Sequence, residues 1–220
     1  MFVGHYAVAL ASKKAAPKVS LGTLFIASQL LDLVWPLFLL LGIETVRIVP
    51  AATPFLRLDL HDYPISHSLL TSVIWSAAFG GLYYATRRHG RGAWVLGAAV
   101  FSHWLLDFVS HAPDMPLYPG SATRVGLGLW NSFTATMIVE GLIFACAVIL
   151  YSRTTEPADR TGTYAYWALV ALLLLMYFGN ALGPPPPDER TLAWTALGQW
   201  LFVPWMYWID RHRPATVQQV

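Results

Sequence analysis

Six stretches of mostly apolar residues divide this chain, and a bilayer-spanning helix needs about 20 such residues. They cover residues 19–43, 67–86, 93–111, 129–151, 163–183 and 192–209. A seventh, residues 2–12, is apolar but short, and reads as a half-span or a helix packed against the others. Between them lie the residues that stop helices. Arg87-Arg88-His89-Gly90-Arg91-Gly92 separates two stretches, and Gly183 followed by four prolines forms a stiff extended link. The longest link, 44–66, holds Pro50, Pro54 and Pro64. The expected fold is therefore an all-α, multi-pass transmembrane bundle of about six or seven membrane-embedded helices. Residues 1–220 form a single membrane domain in this reading, with no internal repeat.

Composition argues against a soluble protein. Apolar residues make up 56% of the chain and charged residues 12%, against roughly 45–50% and about 25% in ordinary globular domains. A chain of 220 residues cannot hide that much apolar surface in one core. The formal net charge of +2 is too small for a nucleic-acid partner. Cys146 is the only cysteine, which excludes an intramolecular disulfide and a paired-cysteine metal site. It reads as a buried packing thiol. The first residues do not read as a secretory signal, because Lys13 and Lys14 follow the apolar stretch instead of preceding it. Trp35, Tyr118, Trp130, Tyr151, Trp194 and Tyr207 lie near stretch ends, as in an interfacial aromatic belt.

Basic residues give an orientation. Alternate links hold Lys13, Lys14, Lys18, Arg87, Arg88, Arg91, Arg153, Arg160, Arg211 and Arg213, and the others hold Arg47, Arg57, Arg124 and Arg190. The positive-inside rule makes the richer side cytoplasmic. The C-terminus then faces the cytoplasm, and links 44–66, 112–128 and 184–191 face outward.

Against this apolar background, ionisable residues inside the stretches cost roughly 2.5–3.5 kcal/mol each at a helix centre and are functional candidates by default. His103, Asp107 and His111 are four apart, so a helix places them along one face. Ligands at i and i+4 can share one metal; the plainer alternative is that Asp107 salt-bridges a histidine. Asp114 follows at a Pro113-marked helix end. His67 falls in the first turn of a helix that Ser66 or Ser68 can cap, either as a ligand or as an interfacial histidine. Asp32 sits mid-stretch before Trp35 and Pro36. Glu140 is open to three roles: ligand, general base, or a partner that orients a histidine. His5, after Gly4, is the weakest candidate taken alone. His89 and His212 lie among arginines and read as solvated. The proposed topology puts the candidates at a common depth, in the outer half of the bundle.

Three histidines with several carboxylates suit a divalent transition metal, zinc before others, better than calcium or magnesium. Zinc can lower the pKa of a coordinated water to about 7.

The order of these elements resembles the YdjM-like membrane-bound metal-dependent hydrolases. The resemblance rests on Gly4-His5, the helix from Asp32 to Pro36, His67-Ser68, and Ser102-His103 to Asp107, with Pro113 to Pro119 downstream. It spans about residues 4–119. Where the family shows Asp-x-Asp-His-Pro, this chain reads Asp32-Leu33-Val34-Trp35-Pro36; Asp62 stands where the family has a first histidine before His67. The resemblance implies metal-dependent hydrolysis and, through a distant relation to zinc-dependent phospholipase C enzymes, phosphoester substrates.

The expected site lies mainly within residues 1–140. His5, Asp32, His67, His103, Asp107 and Asp114 are the candidate metal ligands, and Glu140 and His111 the candidate catalytic groups. The expected activity is hydrolysis of a phosphoester or ester, on a small molecule or a membrane lipid, in a bacterial inner membrane. Metal or proton transport, haem ligation by two histidines, and a metal-stabilised scaffold without activity are the alternatives.

Overall fold

The computed structural model describes residues 1–50 and 52–216 and is mostly helical. The helices are α1 (Val3–Ala15), α2 (Leu21–Leu40), the short α3 (Pro64–His67), α4 (Leu69–Arg87), α5 (Gly90–Ser110), α6 (Phe133–Thr154), α7 (Arg160–Leu182), α8 (Glu189–Leu197) and α9 (Phe202–His212). Side-chain caps start most of the long ones. Ser20, Ser68 and Ser132 each accept a bond from the backbone N–H three residues on, and Asp159 and Asp188 do the same for α7 and α8. Ser68, not Ser66, is the cap of α4, so His67 sits one residue before that cap, at the end of α3.

Four of these helices, α2, α5, α6 and α7, are long and apolar enough to cross a membrane. The other expected helices fall short of that length or apolar character for identifiable reasons. α1 has only 13 residues. α4 carries Ser72, Ser76, Gly80, Gly81 and Arg87, which dilute its apolar character. The last stretch is not one helix: it breaks into α8 and α9 at a 3₁₀ turn, Gly198–Leu201, with Glu189, Arg190 and Thr191 opening α8.

The fold is also not purely α. Thr45–Ile48 (β1) pairs antiparallel with Leu58–Asp62 (β2), and Met115–Pro116 (β3) with Arg124–Val125 (β4). Both pairs lie in links, where alternation over two to five residues is too brief to stand out beside 20-residue apolar runs.

α1 is the axis of the bundle. Val3, Tyr6, Ala9 and Leu10 are buried among α2, α5 and α6. Phe25 and Leu33 of α2, Tyr166 and Leu173 of α7 and Phe202 of α9 join the same core, and a second core forms where Leu24 and Leu31 meet Leu96 and Val100 of α5. The links sort to two ends. At one end Arg91 donates to the Ala15 carbonyl, Lys13 meets Asp210, and Arg213 bonds Thr155. At the other Arg57 donates to the Gly183 carbonyl, Glu189 accepts from the Ile48 N–H (3.4 Å), and Tyr63 donates to Asp114. Cys146 is exposed on α6, which corrects its reading as a buried packing thiol: its stretch spans the outer face of the bundle as well as the core.

Candidate metal centre

Four segments far apart in sequence deliver the site. His5 comes from the first turns of α1 and Asp32 from the second half of α2. His67 closes α3, and His103 and Asp107 stand one turn apart on α5. Pro36 lacks the N–H that would otherwise bond to the Asp32 carbonyl, so the helix is locally loosened at this residue.

Two groups of side chains have ligand atoms close enough to hold one metal ion, His5–His103–Asp107 and Asp32–His67–His103, and they share His103. His67 Nε2 lies 3.4 Å from Asp32 Oδ1 and 3.8 Å from Asp107 Oδ2. His103 Nε2 lies 3.6 Å and 3.3 Å from the same two oxygens. His5 Nε2 is 2.9 Å from Asp107 Oδ1, which the Met1 amino group also touches, and the His5 and His103 rings stack in parallel with centroids 3.6 Å apart.

The hydrogen bonds behind the two histidines decide which nitrogen faces the centre. His103 Nδ1 lies 2.8 Å from the Ser28 carbonyl oxygen, which can only accept, so Nδ1 carries the proton. Its Nε2 is buried and has no hydrogen-bond partner. His67 Nδ1 lies 2.7 Å from Ser66 Oγ, whose own proton goes to Glu44 Oε2 at 2.6 Å. A hydroxyl has one proton to give, so Ser66 accepts from His67. In the neutral ring both Nε2 atoms then present lone pairs to two carboxylates that also only accept.

Four acceptors facing one another is the donor set of a cation site, and its spacing agrees. Hydrogen-bonded N–H···O pairs close to 2.7–3.2 Å, whereas these four contacts span 3.3 to 3.8 Å. Zinc–ligand bonds of about 2.0–2.1 Å place tetrahedral ligand atoms ~3.4 Å apart. The residues could hold a metal ion.

The remaining candidates lie beside this group. His111 Nε2 is 3.7 Å from Asp107 Oδ1, and its Nδ1 donates to Asp114 Oδ1 at 3.0 Å. Tyr63 donates to the same Asp114 oxygen at 2.6 Å, and burial raises the phenol far above its ordinary range. Asp114 is thus engaged by Tyr63 and His111 and is in neither metal-competent group. His111 caps α5, and the chain crosses over it so closely that only a glycine fits. A Cβ on Gly126 (φ 157°) would lie 2.1 Å from the Ala112 carbonyl oxygen, and Gly128 N donates to the His111 carbonyl. Glu140 is fully buried, but it accepts from the Val3 N–H at 3.0 Å and from Trp130 Nε1 at 3.4 Å and is likewise outside both groups. His212 is partly exposed and meets Asp159 at 2.7 Å.

A cavity of about 520 Å³ opens from this centre. His5, Asp32, His67, Asp107 and His111 are among its lining residues, together with apolar residues including Phe55, Leu58, Leu60 and Trp130. Pro184, Pro186, Pro187 and the α8 residues Thr191, Leu192 and Thr195 also line it. The residues missed in the sequence are those that support the ligands: Ser28, Glu44, Ser66 and Tyr63. Ser28 acts through its backbone, which no residue pattern reports.

Apolar spanning helices enclosing a His/Asp group that could bind a metal define a membrane protein with a candidate metal centre. The chain belongs to the family described as YdjM inner membrane protein, whose model matches residues 1–182. That match reaches well beyond residue 119 and takes in α6 and α7, while the Pro-rich link, α8 and α9 lie past it. No curated protein and no solved structure matches the chain.

Proposed function

We propose that this protein is a membrane-embedded, metal-dependent hydrolase acting on a phosphoester or ester that carries an apolar chain, such as a membrane lipid. The observation that carries the reading is the set of four facing acceptors, three of which, Asp32, His67 and Asp107, line a largely apolar cavity. Its volume of about 520 Å³ is within the range of small-molecule sites.

Asp32, His67, His103 and Asp107 would hold the ion, zinc or a similar divalent metal. His5 would complete the set or fix the His103 ring by stacking on it. Such an ion supplies Lewis-acid polarisation of the scissile group and a water of lowered pKa. His111 faces the cavity beside Asp107 and is the acid–base group, with its ring held by Asp114 and Trp130. Of the three roles open to Glu140, the orienting one fits: it anchors the first turn of α1, which carries His5. The apolar walls would receive the hydrophobic part of the substrate.

The positive-inside rule puts the end with Lys13, Arg91 and Arg213 in the cytoplasm and the metal centre in the outer half of the membrane. Cysteines placed at Arg88 and Arg124 should then label from opposite faces, and labelling from one face overturns that orientation.

The test of the activity is turnover. Metal-loaded protein in lipid should hydrolyse phosphoester or ester substrates well above a His103→Ala control. Equal rates for the two contradict hydrolysis, and a liposome metal-flux assay then tests transport.

A further inference from the structure

Glu44 has no place in the ligand set, yet it is 1% exposed and among the most engaged carboxylates of the protein. Its Oε1 accepts from the Ile65 and Ser66 backbone N–H groups, each at 2.7 Å, and its Oε2 accepts from Ser66 Oγ at 2.6 Å. Ser66 is fully buried, and its oxygen in turn receives His67 Nδ1 at 2.7 Å. Glu44, Ser66 and His67 form a continuous line that ends with His67 Nε2 between Asp32 and Asp107.

We propose that Glu44 is a positioning residue for the metal, acting through the Ser66 hydroxyl to hold the His67 ring and keep its proton on Nδ1. The inference rests on His67 being a ligand, as under the proposed function. The direction of each bond requires it. A carboxylate only accepts, so the Ser66 proton points to Glu44. The Ser66 oxygen is then free only to accept, and His67 must donate from Nδ1. In the neutral ring the consequence is a lone pair on Nε2, the atom that faces the centre. Partners of this kind, behind a ligating histidine, fix its tautomer and orientation, and their loss typically costs 10–100-fold in metal affinity.

Glu44 also caps α3, so a purely structural role has to be separated from positioning. Glu44→Gln separates them. An amide keeps an acceptor for the α3 backbone, but its N–H₂ donates to Ser66. The Ser66 proton then turns toward His67 Nδ1 at 2.7 Å, a nearer acceptor than the Tyr63 carbonyl at 3.5 Å, and the ring proton moves to Nε2, where it opposes a metal. Capping survives and the tautomer reverses.

The experiment uses the full chain in detergent, with ¹⁵N-labelled histidine and zinc as the probe. In metal-free wild type, His67 should carry its proton on Nδ1; in Glu44→Gln it should carry it on Nε2. Zinc affinity should fall about 10–100-fold in Glu44→Gln. Ser66→Ala, which cuts the line without adding a donor, should lower it as well. In a His67→Ala background, Glu44→Gln should change zinc affinity no further. An unchanged tautomer, or an equal loss of affinity with and without His67, overturns the proposal. If zinc binds none of the proteins, wild type included, the metal reading fails and positioning for a metal fails with it. The tautomer then reports separately whether the hydrogen-bonded line exists.

Discussion

The two ends of the bundle both bury charge, and they handle it in opposite ways. At the end away from the site, donors meet acceptors. Lys13 is 3% exposed and gives its protons to Asp210 at 2.5 Å and the Val19 carbonyl at 2.9 Å. Arg213 donates to Thr155 and lies over the Tyr166 ring, 4.9 Å from its centroid. At the site end the Met1 amino group complements Asp107 Oδ1, but Asp32 Oδ1, Asp107 Oδ2 and two histidine Nε2 atoms point acceptors at acceptors. Buried polar groups are ordinarily paired, because an unpaired one costs about 1–3 kcal/mol. A complemented cluster holds a fold together. An uncomplemented one is arranged for something that arrives from outside.

The comparison predicts different responses to the same kind of substitution. The largest effect on folding should come from the complemented end. Asp210→Ala leaves Lys13 buried without its counter-charge and should cost about 3 kcal/mol. The loss should be the same with and without zinc. A loss that zinc repairs would mean that the two ends are not independent.

Zinc itself should act only through the site end. At one hundred times its dissociation constant it should stabilise the wild type by about 2.7 kcal/mol, read from denaturant or thermal unfolding in detergent. The increment should vanish in His103→Ala, because both metal-competent groups use that residue. An intact increment in that variant would place the metal elsewhere.

Five of the six candidate ligands converge, and they were legible for one reason. A bilayer makes an ionisable side chain expensive, so His5, Asp32, His67, His103 and Asp107 stood out against the apolar stretches with no knowledge of the fold. The same reasoning could not see Glu44. It lies in a link, where a carboxylate costs nothing, and only the path of the chain from α2 through the β1–β2 hairpin brings it under Ser66. Nor could it rank Glu140, whose burial says that it is needed but not for what. The hairpin itself left a trace, an alternation in Thr45-Val46-Arg47-Ile48 that the structure repeats as exposed and buried positions. The cavity wall was out of reach, because it joins Phe55 and Trp130 to residues near 190 that share no pattern with them.

A smaller effect would sharpen the place of Glu140 between the two kinds of cluster. Glu140→Gln keeps an oxygen acceptor for the Val3 N–H and loses a charge-assisted bond, so stability should drop by about 1 kcal/mol. Zinc stoichiometry should not change. Loss of bound zinc would make Glu140 a ligand and enlarge the site.

The smallest effect belongs to the complemented end. Asp159 caps α7 by accepting from the Gly162 N–H, and it also meets His212; these contacts, the Gly162 bond first, hold its carboxyl below the ordinary 3.8. A depressed folded value means that the contribution is complete above that pH and fades as the pH falls through the lower folded value. Asp159→Ala should therefore lower the melting temperature slightly at pH 7, and the difference from wild type should close in strong acid. A difference that grows in acid would reverse the sign of that linkage.

The claim on which the rest depends is that the four facing acceptors are a metal site, and elemental analysis of purified protein tests it most directly. Wild type loaded with zinc and washed free of excess metal should retain at least one zinc per chain, and His103→Ala carried through the same steps should retain almost none. Equal zinc in the two proteins, or none in the wild type, would contradict the account.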